Sequence, residues 1–239
     1  ARWAKQAGIP RRIGTSHRLW HLGTCNERIH FSRKNSDLHE AQLNFKLLEP
    51  FGIGMPEDVR SLIPLFGLRM PSPDATVSAL LRPDRIRVIL HPLKVSGVGW
   101  GLKNFEKLIH LMDPERYQVL LTGTRAEAQA YREVLPLDLP HVTDTGGQLS
   151  LTQLMELIGK TDALVAASTG PLHIAAAAGI RTIGLFSMRR PIHPGRWAPL
   201  GPDAHALVYY PDCKRCTSGE ACDCITQIAP DRVRELLPN

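Results

Sequence analysis

The sequence predicts an α/β fold in which helices cover both faces of a parallel sheet. The first observation is that strand-length apolar runs alternate with helical segments between residues 86 and 186. The second is a strand, a small-residue turn and a helix that follow one another directly at residues 162–179. In sheets of this kind, ligands bind beyond the carboxyl ends of the strands, so we expect the functional site in the loops there.

Three regions of the chain differ in composition. Residues 1–55 mix helical and irregular signals, and their clearest helix is predicted at residues 37–48. Residues 56–85 are rich in proline, which favours a linker or an irregular crossing between domains. Residues 86–239 are predicted to form the second, regular domain. Because residues 1–10 resemble the end of a helix that runs into a strand, we expect an N-terminal portion of the first domain to be absent.

The regular domain can be assigned element by element from its apolar runs and its helix signals. Ser150 and Gln153 have the spacing of a capping box, which predicts that a helix begins at residue 151. Strands are predicted at residues 86–91, 117–122, 162–167 and 180–186, and helices at residues 104–112, 125–135, 151–158 and 171–178.

Four loops follow strands of this predicted sheet. Parallel strands present their carboxyl ends at one edge, so the loops that follow them converge there. We expect the site to be formed by residues 91–101, 123–127 and 168–173, and by the loop after Phe186 with Arg189, Arg190, His193 and Arg196.

The turn at residues 168–170 carries the sharpest signal. Ser168, Thr169 and Gly170 end a strand, Pro171 suits the first helical position, and Gly179 suits the end of the helix. The N-terminus of a helix presents unpaired N–H groups and the positive end of its dipole, which favours an anion such as phosphate. The alternative is an ordinary helix N-cap without a ligand.

Other candidate residues lie in the same loops. Lys94 follows a strand in a glycine-bearing loop and can offer a positive charge, or it is a solvated lysine of a flexible connection. Glu127 can accept hydrogen bonds from a ribose, or it is an acidic residue favoured by a helix dipole. His173 can point at the ligand or pack against the sheet.

Four cysteines lie within twelve residues near the end of the sequence. Cys213, Cys216, Cys222 and Cys224 can hold a structural zinc ion, form disulfides or remain free thiols. Their spacing differs from that of two CxxC knuckles, and no base for a catalytic cysteine is evident nearby.

The formal net charge is +6, and basic residues are concentrated near the beginning of the chain. Such a patch attracts phosphates on a lipid, a nucleic acid or a sugar nucleotide, or it is a solvated basic surface. No nucleic-acid-binding motif accompanies it, so we expect no nucleic-acid partner. No apolar run reaches eighteen residues, so no membrane span is expected. Residues 1–34 contain one acidic residue, Glu27. The basic residues in the same range are Arg2, Lys5, Arg11, Arg12, Arg18, Arg28, Arg33 and Lys34.

Several segments, taken in order, resemble glycosyltransferase family 9, the heptosyltransferases of lipopolysaccharide core assembly. They are Ala-Gly-Ile-Pro-Arg-Arg-Ile-Gly at residues 7–14, the loop from His91 to Trp100 with Asn104 and Phe105, Ser-Thr-Gly-Pro-Leu-His-Ile and four alanines at 168–178, Gly-Leu-Phe at 184–186, and Arg-Trp-Ala-Pro at 196–199. The resemblance covers most of the chain.

The resemblance implies a GT-B fold of two Rossmann-like domains with parallel sheets, the first of which is incomplete here. It implies metal-independent transfer of heptose or a similar sugar, without a cofactor, from a nucleotide sugar such as ADP-heptose. The acceptor would be an anionic lipopolysaccharide or related glycolipid. The protein would be cytoplasmic and peripheral to the inner membrane of a Gram-negative bacterium. By resemblance, Thr169 and Gly170 contact the diphosphate, Glu127 the ribose, Leu149 the base and His173 the sugar phosphate.

The sequence departs from the family pattern at three places. Ser168 stands where the family often has an aspartate, and Val98 stands where it has a lysine, which leaves Lys94 as a substitute. The family's acidic general base lies in a part that we expect upstream of Ala1, so no catalytic base is assigned here. Two alternatives follow: a homologue that binds nucleotide sugars without catalysis, and a nucleotide-sugar epimerase.

Overall fold

The computed structural model describes residues 1–33, 36–94, 98–218, 220 and 222–239. The chain divides into two compact units, Ala1–Leu62 and Ile63–Asn239. The division lies inside the proline-rich segment that was predicted as a linker. Lys34 of the basic segment and residues 95–97 of the predicted glycine-bearing loop lie outside the described residues.

The first unit is small, and its regular elements are short. Strands β1 and β2 pair in parallel, with Ile13 opposite Glu27. The predicted helix-to-strand beginning is present, whereas the helix predicted at residues 37–48 is shorter and continues as a 3-10 helix. The elements are α1 (Arg2–Gln6), β1 (Ile13–Thr15), α2 (Leu19–Leu22), β2 (Glu27–Ile29), α3 (Glu40–Phe45) and 3-10 helices at Lys46–Phe51 and Val59–Leu65, the last of which crosses the boundary.

The second unit contains a six-stranded sheet. Its strands are β3 (Ile86–His91), β4 (Tyr117–Leu121), β5 (Val142–Asp144), β6 (Ala163–Ala167), β7 (Arg181–Phe186) and β8 (Ala204–Val208). Its helices are α4 (Ala75–Leu80), α5 (Leu102–Leu111), α6 (Arg125–Arg132), α7 (Leu151–Gly159), α8 (Gly170–Ala178), α9 (Pro194–Trp197), α10 (Lys214–Ser218) and α11 (Pro230–Arg234), with a 3-10 helix at Cys224–Gln227.

All neighbouring strands of this sheet are parallel, in the order β5-β4-β3-β6-β7-β8. Counted along the unit, that order is 3-2-1-4-5-6, which is the doubly wound arrangement. The predicted parallel α/β fold is therefore confirmed. The predicted strand at residues 86–91 has the predicted ends, and the other predicted strands differ by one residue at one end.

The core lies on both faces of the sheet. Val88 and Leu90 belong to a buried cluster that also contains residues of α5, α6 and α11. Ile89, between them in sequence, belongs to a second cluster with residues of α4, α7 and α8. Successive strand side chains point to opposite faces, so an unbroken apolar run serves both clusters.

Helix α4 corrects the prediction of an irregular crossing at residues 56–85. The Asp74 carboxylate accepts a hydrogen bond from the Thr76 amide at 2.7 Å and begins this helix. The Asp74 amide donates to the Glu156 carboxylate at 2.9 Å, and Val77 is fully buried. The later part of the proline-rich segment is thus packed into the second unit.

Candidate functional site

A cavity of about 590 Å³ opens among the loops that follow four strands of the second unit. Strands β3 and β6 are neighbours, and the strand order reverses between them, so the cavity lies at the switch point where such sheets bind ligands. The lining residues are His91 and Lys94 after β3, Gly123, Thr124, Arg125 and Glu127 after β4, Gly147, Leu149, Ser150, Leu151 and Leu154 after β5, and Ser168, Thr169, Gly170 and Pro171 after β6.

Helix α8 directs its N-terminus at this cavity. Thr169 is its N-cap, but the Thr169 side chain makes no capping hydrogen bond. The Thr169 Oγ1 atom is buried and has no hydrogen-bond partner among the described residues. A Cβ atom on Gly170 would meet nothing within 4 Å. A buried hydroxyl without a partner is costly unless a ligand completes it, so this turn has the features of an anion site.

The end of β3 and the loop after it contribute two titratable groups. Nδ1 of the buried His91 lies 3.0 Å from the Thr122 hydroxyl oxygen. Burial lowers the pKa of His91 and the Glu127 charge raises it less, so the imidazole is neutral near pH 7. Burial also lowers the pKa of Lys94, which has no carboxylate partner within the described chain. An anion in the cavity would supply the opposite charge.

The loop after β4 is held by a capping box. The Thr124 amide donates to Oε2 of Glu127 at 2.7 Å, and the Glu127 amide donates to the Thr124 hydroxyl at 3.3 Å. Glu127 thus lies in the first turn of α6, where its alternative interpretation as an acidic residue favoured by the helix dipole placed it, yet the same side chain lines the cavity. Because the capping bond occupies only Oε2, Oε1 can accept from a ligand hydroxyl. Arg125 adds a second positive charge to the lining.

The turn after β5 is held by a network around Asp144. The Asp144 carboxylate accepts from the Tyr131 hydroxyl at 2.5 Å and from Nε of Arg132 at 2.6 Å. Burial raises the pKa of Asp144, but these hydrogen bonds outweigh it, so the pKa lies below its usual value. Gly147 packs so closely that a Cβ would lie 2.8 Å from the Arg125 Cα, at a φ of +72°. The network thereby fixes one wall of the cavity.

The part of the lining contributed by α7 and the turn before it consists of three leucines and Ser150. Leu149, Leu151 and Leu154 line the cavity there, and Leu151 is 67% exposed. The predicted capping box is present, because the Ser150 hydroxyl accepts from the Gln153 amide at 3.2 Å. The cavity therefore combines a positively charged anion site with an apolar wall of the kind that takes a flat ring.

The structure places the predicted donor-binding residues together, with one exception. The ring of His173 lies 6.1 Å from the ring of Trp197 between centroids, and His173 is absent from the described lining. The position of His173 near the sugar phosphate therefore stays a prediction. The predicted donor-binding residues that line the cavity are Lys94, Gly123, Glu127, Leu149, Ser168, Thr169, Gly170 and Pro171.

The fourth predicted loop does not join the described lining of the cavity. None of Arg189, Arg190, His193 and Arg196 is found there. That loop follows β7, which lies on the far side of β6 from β3. Of the lining residues at 147–154, the sequence predicted only Leu149, and that through the family resemblance, because the short strand β5 that leads to them has no apolar run.

Two further features lie outside the cavity. The five cysteines are free thiols, so the structure contains none of the disulfides left open by the sequence. Cys213, Cys216, Cys222 and Cys224 lie together, with their Sγ atoms within 4.8 Å of one another. Within the described residues, no helix combines the length and the apolar character that crossing a bilayer requires.

The fold and the cavity define a class of protein. A doubly wound α/β unit with a helix N-terminus, a lysine and an unpartnered hydroxyl at its switch point is typical of proteins that bind anionic ligands such as nucleotides. A family model described as glycosyltransferase family 9 (heptosyltransferase) matches residues 3–223. The chain belongs to glycosyltransferase family 9, as its motifs predicted.

Individual relatives are distant in sequence. The chain is 26% identical over 95 residues to the lipopolysaccharide core heptosyltransferase OpsX of Haemophilus influenzae, a match covering 39% of this chain and 27% of OpsX. The structure of E. coli ADP-heptose lipopolysaccharide heptosyltransferase II is similar, with a TM-score of 0.70 and 19% identity over 98% of this chain and 70% of that one. At this identity the likeness concerns the fold.

Two further structures agree with that result. A family 9 glycosyl transferase from Veillonella parvula has a TM-score of 0.68 and 15% identity, covering 98% of this chain and 67% of its own. The E. coli heptosyltransferase WaaC with ADP has a TM-score of 0.60 and 15% identity, covering 92% of this chain and 62% of its own. The predicted α/β fold class is confirmed, and the chain spans between three-fifths and three-quarters of these structures.

Proposed function

We propose that the chain is the donor-binding part of a glycosyltransferase that moves heptose or a similar sugar from a nucleotide-diphosphate sugar to a lipopolysaccharide or related glycolipid. The observation that carries the proposal is the buried Thr169 hydroxyl at the N-terminus of α8, which lines the cavity and has no partner among the described residues. Family membership supports the reaction class, and the related WaaC structure contains ADP.

The diphosphate of the donor is assigned to the N-terminus of α8. The Thr169 hydroxyl can donate to a phosphate oxygen, and the first-turn amides of the helix have no partner within the helix. Lys94 and Arg125 line the same cavity and provide positive charge. A charge-assisted hydrogen bond to phosphate contributes more than a neutral one, which makes these groups the main source of donor affinity.

The nucleoside is assigned to the other walls of the cavity. Oε1 of Glu127 can accept from a ribose hydroxyl while Oε2 caps the helix. Leu149, Leu151 and Leu154 offer an apolar wall on which a base can lie. Because this wall carries no charged group, it distinguishes bases by shape and by contacts with the backbone.

The chemistry of transfer fits this distribution of charge. When the sugar leaves, negative charge develops on the diphosphate and positive charge on the anomeric carbon. Fixed N–H groups and cations that are already in place stabilise the leaving group without reorganisation. Lys94, Arg125 and the α8 N-terminus can provide that charge, which supports a transfer that needs no metal ion or other cofactor. An undiminished rate in the presence of EDTA would agree with this assignment.

The acceptor and its location are part of the proposal. The first unit exposes Trp3 by 84%, Leu19 by 81% and Trp20 by 63%, and the Arg18 guanidinium lies 5.2 Å from the ring of Trp20. Aromatic and basic residues together favour an anionic lipid surface. We assign the protein to the cytoplasmic face of the inner membrane of a Gram-negative bacterium, with an anionic glycolipid as acceptor.

Thr169→Val tests the donor site. The Thr169 hydroxyl has no partner, so its removal should leave the free energy of unfolding unchanged or slightly higher. A hydrogen bond to a charged phosphate contributes about 1.5–3 kcal/mol to the binding free energy. Its loss should therefore raise the Kd for ADP, measured by titration calorimetry, by about 10- to 150-fold.

Thr182→Val is the matched control for this experiment. The Thr182 hydroxyl is buried and donates to the Ile180 carbonyl at 3.0 Å, so its loss should lower stability without changing ADP affinity. If the wild type and Thr169→Val bound ADP with equal affinity, the assignment of the diphosphate to this turn would be wrong. Absence of binding of ADP or any nucleotide sugar to the wild type would overturn the donor-binding proposal.

A non-catalytic homologue is the second candidate, and one observation favours it. Glu127 is the one carboxylate among the described residues that line the cavity, and it caps a helix. Ser168 occupies the place of the family's aspartate. Incubation of the full-length protein with labelled ADP-heptose and lipopolysaccharide acceptors separates the candidates, since only the enzyme transfers label.

A further inference from the structure

The four clustered cysteines are brought together by a short segment after β8. Cys213 precedes α10, Cys216 lies within it, Cys222 follows it and Cys224 begins the 3-10 helix at Cys224–Gln227. The Sγ atoms of Cys213 and Cys222 are 3.6 Å apart, and that of Cys224 lies 3.1 Å from Cys213 and 2.9 Å from Cys222. All four sulfur atoms lie within 4.8 Å of one another.

This arrangement matches the coordination shell of a tetrahedral ion. Four thiolates at the zinc–sulfur distance of about 2.3 Å have sulfur atoms about 3.8 Å apart. The observed separations are 2.9, 3.1 and 3.6 Å for the three pairs above and at most 4.8 Å for the others, so the four sulfur atoms are close enough to share one ion. Bridged sulfurs would lie about 2.05 Å apart, and the thiols are free. Four thiolates around one divalent ion carry a net charge of −2, which the neighbouring Lys214 and Arg215 partly offset.

The cluster is followed directly by residues that hydrogen-bond to the beginning of α5. The Thr226 carbonyl accepts from Nδ2 of Asn104 at 2.8 Å. The Ile228 carbonyl accepts from Nε1 of the buried Trp100 at 2.8 Å. Both donors lie at the beginning of α5, on the connection that comes from β3 and carries Lys94.

The cluster and the same connection also border one hollow. A hollow of about 280 Å³ is lined by Val98, Arg215, Cys222 and Asp223. Val98 belongs to the connection between β3 and α5, and Cys222 belongs to the cluster. An ion held by the cysteines would therefore hold the segment that borders this connection at Val98 and that hydrogen-bonds to it through Thr226 and Ile228.

We propose that Cys213, Cys216, Cys222 and Cys224 bind one structural zinc ion, which fixes the segment after β8 against the connection between β3 and α5. Four thiolates close the coordination shell, so the ion has no open position and takes no part in the transfer reaction. Binding displaces the thiol protons into solvent and involves no change of oxidation state. The site is independent of the donor-binding proposal.

Metal analysis of the purified chain tests the proposal. Protein prepared under reducing conditions with zinc supplied should contain about one zinc ion per chain by elemental analysis, and Cys213→Ser should lower that content by about tenfold or more. Cys25→Ser is the matched control, because Cys25 is the remaining cysteine, is buried in the first unit, and should be dispensable for the metal.

A spectroscopic measurement on the wild type keeps the test independent of whether a variant folds. Cobalt exchanged into the wild type should give the visible and near-ultraviolet absorption of a tetrahedral cobalt–thiolate site, and Cys25→Ser should retain it. Wild-type protein that binds neither zinc nor cobalt would overturn the proposal. So would an intact mass showing two disulfides in freshly purified protein, or iron in place of zinc.

Discussion

Replacing Gly170 by alanine should separate the stability of the protein from its affinity for the donor. Gly170 is the first residue of α8 and lines the cavity. Its φ lies outside the left-handed region, and a Cβ there would meet nothing within 4 Å. The chain itself therefore has room for the added methyl group, and the space that this group would take belongs to the cavity.

The magnitudes follow from the two environments of that methyl group. Alanine is more favourable than glycine in a helix by up to about 1 kcal/mol, so the free energy of unfolding should stay the same or rise. A phosphate that approaches the Gly170 amide would be overpacked by the Cβ at a cost of about 1–3 kcal/mol. This cost corresponds to an increase in the Kd for ADP of about 5- to 150-fold. Gly170→Leu should abolish measurable binding.

Titration calorimetry with ADP and urea unfolding measure the two quantities on the same preparations. Gly54→Ala is the control, because a Cβ on Gly54 also meets nothing within 4 Å and Gly54 does not line the cavity. This variant should bind ADP like the wild type. Unchanged ADP affinity in both Gly170 variants, with both folded, would refute the assignment of the diphosphate to this turn.

Three further changes test other parts of the account. Lys94→Met should raise the Kd for ADP by about 10- to 150-fold through loss of a charged contact. Because burial lowers the pKa of Lys94, wild-type affinity should fall as the pH rises through that pKa, while calorimetry on the variant should show no such fall. Asp144→Asn should lower the free energy of unfolding at pH 7 by about 1.5 kcal/mol or more. Since the pKa of Asp144 is lowered in the folded state, the difference from wild type should persist above about pH 4 and vanish as the pH falls through the folded-state pKa. Trp100→Phe should cost about 1–3 kcal/mol in urea unfolding, because the Ile228 carbonyl loses its buried donor; equal stability would contradict that role.

The sequence predicted well those elements whose pattern of apolar residues matches their burial in the structure. The strand at Ile86–His91 contains the apolar run Val88-Ile89-Leu90, whose side chains are buried on both faces of the sheet. Strands β5 and β8 were missed because Val142–Asp144 is short and half-buried, and Ala204–Val208 is only partly buried. Helix α4 was missed because the prolines around it indicate an irregular segment more strongly than Asp74, its N-cap, indicates a helix.

The sequence predicted those parts of the site whose loops follow strands that were themselves predicted. Thr169 and Gly170 follow β6, and the structure places both in the cavity. Gly147 and Leu154 could be found only through β5 and its place at the edge of the sheet, which depends on strand pairing rather than on local sequence. The contact between His173 and Trp197 could not be predicted, because a distant segment supplies Trp197.

A crystal structure of the chain with ADP tests the central claim most directly. The diphosphate should lie within hydrogen-bond distance of the Thr169 hydroxyl and the Gly170 amide, with the ammonium of Lys94 beside it. The adenine should lie against Leu149. Nucleotide bound elsewhere, or bound in the cavity with its diphosphate away from the α8 N-terminus, would contradict the account.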